Sequence, residues 1–487
     1  MVANFGGVGQ ICRQLSIGSL PNEVLLEIFD SLDCHAVYIF TGKSWQPQWH
    51  MLVHVCQRWR YVVFSSPCRL GLQIICTPKT RVREMLDIWP NLPITVHKSL
   101  EHSGERMPKG GMDEIAAALG HKGRICRIQL FYLTKPQLKR LTAVMRGAFP
   151  ELTVLDLHST FMNGAQLEAD ALLGGFAPRL QTLRLHSIPF PSTPILLWSA
   201  RNLLNLDLVD LPYHNGMSPE AMVTNLATLT KLKSLKIRFQ QSSSYMNQLP
   251  DYLLALPRPH RSIVLPALTD LSLACTGEYL ESFVARLHAP LISSIGVSFF
   301  YKLIPALPQL SDLIGRAETL KSLQTAVVNL SHPNVSLTLS PSGGPHRTRL
   351  SFVFPRNGGE CQLSSIAKAC HQVLCILSDV DCLKISEYLY SQFHWPVDDI
   401  RWLEFFRPFT AVRTLHLSSK LCLLLAPVFQ EPTGDKATEV FPALRDLIMD
   451  VHDLSGPVHA ALEPFLTTRQ LSGHPVDVRC EENIAEK

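Results

Sequence analysis

The sequence predicts an α/β chain: a helical module near the N-terminus, then a solenoid of parallel β-strands alternating with helices, broken by an irregular hairpin insertion. Three observations carry that expectation. A six-residue apolar motif recurs ten times; helix signals fall between its copies; and residues 19–76 follow a helical period instead.

The motif is an apolar residue, two variable ones, an apolar residue, one variable and an apolar residue, often with a proline two positions before it. It occurs as Ile125/Ile128/Leu130, Leu152/Leu155/Leu157, Leu180/Leu183/Leu185, Leu203/Leu206/Leu208, Leu232/Leu235/Ile237, Leu268/Leu271/Leu273 and Ile292/Ile295/Val297. It returns as Val380/Leu383/Ile385, Val412/Leu415/Leu417 and Leu444/Leu447/Met449. The closing alternation specifies a short strand whose successive side chains point to opposite faces. First positions of the earlier copies are separated by 27, 28, 23, 29, 36 and 24 residues. With helices between the strands, this is leucine-rich-repeat spacing, and it predicts a parallel solenoid. Ordinary βαβ units also space strands by ~30 residues, but an open α/β sheet has no reason to hold one hexad register ten times.

Thr134-Lys135-Pro136-Gln137 is a capping box with proline in the first turn, continued at helical spacing by Leu138, Leu141, Val144 and Met145. Ser218-Pro219-Glu220 starts another helix, carrying Met222, Leu226 and Leu229 on one face. Leu280, Phe283, Val284 and Leu287 form a helical stripe, as do Ile366, Cys370, Val373, Leu374 and Leu377. The period breaks between Ile292 and Val380. There Pro341-Ser342-Gly343-Gly344-Pro345 separates the strand-like Val335–Leu339 and Leu350–Phe354, which predicts a hairpin. The expected organisation is a helical module with linker over 15–95 and a repeat solenoid over 112–480, with the insertion at about 300–360.

In the N-terminal module Leu20, Val24, Leu25, Ile28, Phe29 and Leu32 make one apolar face, with Pro21 and Glu23 suited to a first turn. A second helix is predicted through Met51, Leu52, Val55, Cys56, Trp59 and Val63, ending before Ser65-Ser66-Pro67. Leu20-Pro21-Asn22-Glu23-Val24-Leu25-Leu26-Glu27-Ile28-Phe29, followed by His54-Val55-Cys56-Gln57-Arg58-Trp59-Arg60, resembles an F-box. Joined to leucine-rich repeats, it resembles the large fungal group of F-box-like proteins, those of mushroom-forming basidiomycetes in particular. The likeness runs through Ser65-Ser66-Pro67-Cys68-Arg69-Leu70 and, more loosely, to Arg469-Gln470-Leu471-Ser472-Gly473-His474-Pro475. The family usually links its two outer helices through a short third element, whereas Asp33 to Gln48, with Tyr38, Phe40, Trp45 and Pro47, reads as a longer irregular connection.

What the resemblance implies is a substrate-receptor subunit of an SCF-type cullin–RING ubiquitin ligase. Its helices would dock on a Skp-family adaptor through Leu20, Pro21, Val24, Leu25, Ile28, Phe29, Val55, Cys56 and Trp59, and its repeats would hold a target protein for ubiquitin-dependent degradation. The rival is a non-ligase interaction scaffold whose N-terminal helices cap the solenoid. On the repeats, the residue between the last two apolar positions must lie on the opposite, exposed strand face, the concave one in a leucine-rich solenoid. That column reads Gln129, Asp156, Arg184, Asp207, Lys236, Ser272 and Gly296, with Lys384 and His416 later. Its mixed signs suit a protein partner better than a polyphosphate.

Composition narrows the remaining classes. Apolar residues make up 46% of the 487 positions and charged ones 18%, the balance of a folded chain. A formal charge of +4 over that length is too dilute to announce nucleic acid or an anionic membrane. The longest apolar runs, near Leu291–Phe300 and Leu421–Phe429, fall short of the ~20 residues of a membrane helix, and Met1 to Leu15 lacks a signal-peptide core. Thirteen scattered cysteines read as reduced thiols, so a cytoplasmic or nuclear setting is expected. Gly42-Lys43-Ser44 resembles the end of a P-loop, but Val37 stands where the first glycine is required. Cys370, His371, Cys375 and Cys382 lack paired CxxC spacing. No HExxH, GxSxG or dinucleotide fingerprint occurs, so no catalytic residue, metal, cofactor or small-molecule substrate is predicted.

Overall fold

The computed structural model describes residues 17, 20–31, 39–40, 45–46, 49–67, 69–89, 91–98, 110–160, 169–188, 195–211, 218–240, 262–300, 306–331, 334–342, 348–355, 363–372, 374–387, 399–430, 440–449 and 457–480. Met1–Leu15, the P-loop-like Gly42-Lys43-Ser44, most of the 33–48 connection and the tip of the 341–345 turn lie outside them. The chain divides into two compact units, Met1–Phe131 and Tyr132–Lys487.

The first unit opens with α1 (Asn22–Ser31), a two-residue antiparallel ribbon of β1 (Ile39–Phe40) and β2 (Trp45–Gln46), α2 (Trp49–Val55) and α3 (Gln57–Ser65). What the sequence reads as one second helix is therefore two. Cys56 breaks it with an extended backbone (φ −159°, ψ 169°), and its Sγ accepts the Trp59 N–H at 3.4 Å as the cap of α3. Then come β3 (Ile74–Cys76), α4 (Val82–Ile88), β4 (Ile94–Lys98), α5 (Gly111–Leu119) and β5 (Ile125–Leu133), whose last two residues belong to the second unit. β3, β4 and β5 pair in parallel, with Cys126 bulged between Ile125 and Arg127. Parallel strands therefore start at Ile74, inside the 15–95 span assigned to the helical module.

The second unit holds α6 (Lys135–Val144), β6 (Val154–Ser159), β7 (Thr182–His186), α7 (Ile195–Ser199), β8 (Asn205–Leu211), α8 (Pro219–Leu226), β9 (Ser234–Phe239), β10 (Ile263–Val264), β11 (Asp270–Cys275), α9 (Gly277–Val284), β12 (Leu287–His288) and β13 (Ser294–Phe299). It continues with α10 (Pro308–Arg316), β14 (Thr325–Leu330), β15 (Asn334–Ser340), β16 (Arg349–Pro355), α11 (Leu363–Gln372), α12 (Leu374–Leu377), β17 (Cys382–Glu387), α13 (Asp399–Phe406), β18 (Thr414–Leu417), α14 (Ser419–Gln430), β19 (Asp446–Met449), α15 (Pro457–Leu471) and β20 (Asp477–Cys480). β10 and β12 form a small parallel ribbon of their own, so Leu287 is a strand residue rather than the end of the α9 stripe.

Parallel pairing runs from β6 through β7, β8, β9 and β11 to β13 with the hexads in exact register: Leu155, Leu183, Leu206, Leu235, Leu271 and Ile295 are successive partners. Leu155, Leu157, Leu183, Leu185, Leu206, Leu208, Leu235 and Ile237 are at most 1% exposed. The turn into each strand repeats as well, since the N–H of Leu152, Leu180, Leu203, Leu232, Leu268 and Ile292 donates to the carbonyl three residues back. Neighbouring helices, such as α7 with α8, α8 with α9 and α9 with α10, pack side by side and form a layer against the leucine side of the sheet. This is a leucine-rich-repeat architecture of parallel strands alternating with helices.

The predicted hairpin is present as β15 and β16, but it is built into the sheet. β13 pairs in parallel with β16, β16 antiparallel with β15, β15 antiparallel with β14, and β14 in parallel with β17. The chain leaves β13, skips two strand positions to lay down β14, and returns to fill the gap. β14 carries a further hexad, Leu323/Ala326/Val328, all nearly fully buried and paired through Ala326 and Val328 with Leu383 and Ile385 of β17.

Candidate interaction surfaces

In the first unit α1 lies on α3. Phe29 packs against Trp59 with ring centroids 4.8 Å apart. Arg58 donates to Asn22 Oδ1 at 2.9 and 3.1 Å and to the Leu20 carbonyl, pinning the start of α1. Arg69 pairs with Glu27 at 2.5 Å and with Asp30 at 3.8 Å near its other end. Behind α2, Trp49 is buried and meets Phe64 and Trp89 edge-on. His50, beside Trp89, has its pKa lowered to about 4, by burial first and the neighbouring His54 second.

This packing divides the nine residues expected to meet an adaptor. Leu25 and Phe29 are fully buried and bind α1 to the rest of its unit, so they are interior residues and not contact residues in this conformation. Leu20, Ile28 and Trp59 are half-buried. Pro21, Val24, Val55 and Cys56 face solvent, and the structure adds Met51 and Tyr61, both well exposed. Sequence reasoning passed over Met51 and Tyr61 as surface because apolar spacing alone marks a face without saying which side is covered.

Seven of the eight residues expected to meet a target sit on the helix-free face of the second unit, between the last two positions of their hexads. Asp156, Arg184, Asp207, Lys236 and Ser272 are consecutive register partners across β6, β7, β8, β9 and β11. Lys384 and His416 are partners on β17 and β18, and Gln129 belongs to β5 in the other unit, opposite His97 of β4. Between Ser272 and Lys384 the row passes through Gly296, Ser351, Thr338 and Val327. The predicted row is thus two charged blocks separated by small, uncharged side chains.

The β6–β9 block is the more elaborate. His158 Nε2 lies 2.9 Å from Asp156 Oδ1, and the His158 and His186 rings stack with centroids 3.7 Å apart and a 13° tilt. Arg184 approaches Asp156 at 3.6 Å and Asp207 at 4.0 Å. Arg238 forks onto Asp210 with contacts of 3.1 and 3.5 Å. Burial, followed by the adjacent His158, lowers the His186 pKa to about 4, whereas burial raises that of Asp207 against the pull of Lys236 and Arg184. Ser187 and Asp210 adopt the left-handed backbone region (φ 54° and 56°), uncommon for residues other than glycine. Ser187 directly follows β7, whereas Asp210 is bulged out between Val209 and Leu211 of β8 and meets Arg238. Val209, which breaks the alternation after Leu208, is the sequence signal for that bulge.

No family model matches this sequence, and no curated protein does. Among solved structures, the chain is similar to the leucine-rich repeat-containing protein LegL7 from Legionella pneumophila, at 11% identity and a TM-score of 0.29, over 82% of this chain and 98% of that one. The repeat architecture rests on the strand pairing described above.

Among the described residues no three His, Cys, Asp or Glu side chains converge as a metal ion would need, and no helix is long and apolar enough to cross a membrane. Cys370 is buried, and its thiol pKa is pushed upward by that burial. Cys76 is likewise raised, to about 12, so neither is poised as a nucleophile near neutral pH. The arrangement is a leucine-rich-repeat sheet with one polar strand face turned to solvent.

Proposed function

We propose that this chain is an F-box-type substrate receptor of an SCF-like cullin–RING ubiquitin ligase, related to the fungal F-box proteins that its N-terminus resembles. The observation that carries the reading is the cluster α1–α3, in which the residues of the LPxEVLxxIF segment hold one helix on another while Pro21, Val24, Met51 and Val55 remain toward solvent. Several exposed apolar side chains on a small helical cluster suit a helical partner, and a Skp-family adaptor is the partner the resemblance implies. The repeats would then hold the target protein on their helix-free strand face. The chain would supply no catalytic group and would act by proximity, raising the effective concentration of a target lysine near a thioester carried by other subunits. Such a role belongs to the cytoplasm or nucleus.

A second reading has one observation in its favour. The helices share a compact unit with β3, β4 and β5, as a solenoid cap would. Co-expression with a Skp-family adaptor decides between them. Copurification as a stoichiometric complex supports the receptor, and a chain that folds but never retains the adaptor is a capped scaffold.

A further inference from the structure

Alternation of sign along β6–β9 conceals a sorting by depth. The carboxylates lie low, with side chains of Asp156, Asp207 and Asp210 exposed by 4%, 19% and 27%, while those of Arg184 and Arg238 are exposed by 45% and 47%. Two of the three acids are also engaged from within, Asp156 by His158 and Arg184 and Asp210 by the Arg238 fork and Ser187, whereas the buried Oδ1 of Asp207 accepts no hydrogen bond among the described residues. Carboxylates set beneath a guanidinium fix its orientation and leave its outer edge for a ligand.

The outward donors are not equally engaged. Arg238 uses Nε and Nη2 on Asp210. Arg184 is exposed and reaches its two carboxylates only at 3.6 and 4.0 Å, beyond hydrogen-bonding distance; Lys236 is half-buried, and its side chain makes no hydrogen bond or ion pair among the described residues. We infer that β6–β9 form a docking patch for an acidic segment of the target protein, with Arg184 and Lys236 as its two anchors. This rests on the reading that the helix-free face receives the target.

Geometry fixes what fits. Arg184 on β7 and Lys236 on β9 are separated by one strand, hence by about 10 Å at ~4.8 Å per strand, and a peptide in the polyproline II conformation, with three residues per turn and a rise of ~3.1 Å, brings every third side chain to one face about 9 Å apart. Two acidic side chains three residues apart therefore span the anchors. Asp207, between them, is half-buried and attracts both cations electrostatically. The stacked His158 and His186 flank the patch, and His186, with its pKa near 4, brings no cation of its own at neutral pH. The patch ends at β11, where Ser272 and Ala274 replace the charges, and β13 continues with Gly296 and Ser298.

The experiment uses the full chain and two fluorescent octapeptides in a Gly-Ser frame, one with two glutamates three residues apart and one with two lysines there, followed by fluorescence polarisation at low salt. The wild type is expected to bind the glutamate peptide at least ~10-fold tighter, weakening as salt rises. Arg184→Glu/Lys236→Glu should invert the preference. Lys384→Glu, on the distant block, should leave it unchanged. Should the double reversal fail to fold, Arg184→Gln/Lys236→Gln decides, by abolishing the preference without inverting it. Equal binding of the two peptides by the wild type, no binding of either, or a glutamate preference that survives the double substitution overturns the inference. Adaptor capture is read on the same proteins. Its loss with peptide binding intact removes the receptor reading alone, and the converse removes the acidic patch alone.

Discussion

Replacing Val24 and Val55 by alanine tests the adaptor surface where the structure places it. The two side chains are 40% and 58% exposed, so those fractions are the area an adaptor can still cover. Truncation to alanine removes two methylene equivalents, ~1.6 kcal/mol at complete burial, so the losses are about 0.6 and 0.9 kcal/mol, or ~1.5 kcal/mol together and about a 13-fold weaker complex. Isothermal titration of the full chain with a purified Skp-family adaptor measures this directly, alongside a thermal melt that should hardly move. Leu25→Ala supplies the contrast, because that side chain is fully buried and its truncation should cost the first unit ~2–5 kcal/mol, seen as a lowered unfolding midpoint before any effect on affinity is interpretable. A wild type that binds while the Val24→Ala/Val55→Ala protein loses less than about threefold would show that docking does not use this surface.

Arg58→Ala should lower adaptor affinity and the stability of the first unit together, by roughly 1–2 kcal/mol, since it frees the start of α1 from Asn22 and Leu20; hydrogen exchange confined to residues 22–31 would report the loosened helix. Leu183→Ala should shift the urea midpoint of the second unit by an amount matching ~2–5 kcal/mol, whereas Thr182→Ala, which loses only the hydrogen bond from Asn205 at 3.2 Å, should cost about 1 kcal/mol or less. Equal shifts would mean that the strand register is wrong. The lowered His186 pKa makes the unfolded chain bind more protons between pH 6.5 and about 4, so its contribution to stability is present above 6.5 and lost as the pH falls through that window. His186→Phe, which keeps a ring beside His158, should flatten the decline in a series of urea melts at decreasing pH, and an unchanged slope would refute the assignment.

Much of the architecture is legible because one physical demand repeats. Each strand must bury two side chains on one face, and ten hexads with Leu, Ile, Val or Met at those places all end in strands paired in register. The hexad at β14 was concealed by Ala326, small enough to be missed by a hydrophobic pattern yet fully buried where Leu383 of β17 packs beside it. The break at Cys56 was concealed for the opposite reason, since apolar spacing continues across it and only the cap geometry interrupts the helix. For the surfaces, the sequence places Arg184 and Asp207 on the exposed face because alternation demands it, but alternation is silent on depth. Whether a carboxylate lies under a guanidinium or beside it depends on side-chain length and on neighbours 23 or more residues away, such as Asp156 for Arg184 and Asp210 for Arg238. The same ignorance of depth put Leu25 and Phe29 among the contact residues.

The reversed placement of β14, β15 and β16 makes assembly of the second unit non-sequential. A regular repeat array can extend one unit at a time, each new strand being templated by its predecessor. Here the strand synthesised after β13 has no template beside β13, and the gap closes only when β16 arrives, some fifty residues later in the chain. Until then β13 presents an open edge, which is an aggregation hazard on the ribosome. Among the described residues, the strands from β17 onward join the earlier ones through the parallel pairing of β17 with β14, itself tied to β13 by the antiparallel β15 and β16, so the keystone is a clasp between two runs of parallel strands. Loosening the clasp, for example by a proline within β15, would let the C-terminal block melt independently while the charged β6–β9 block kept its fold.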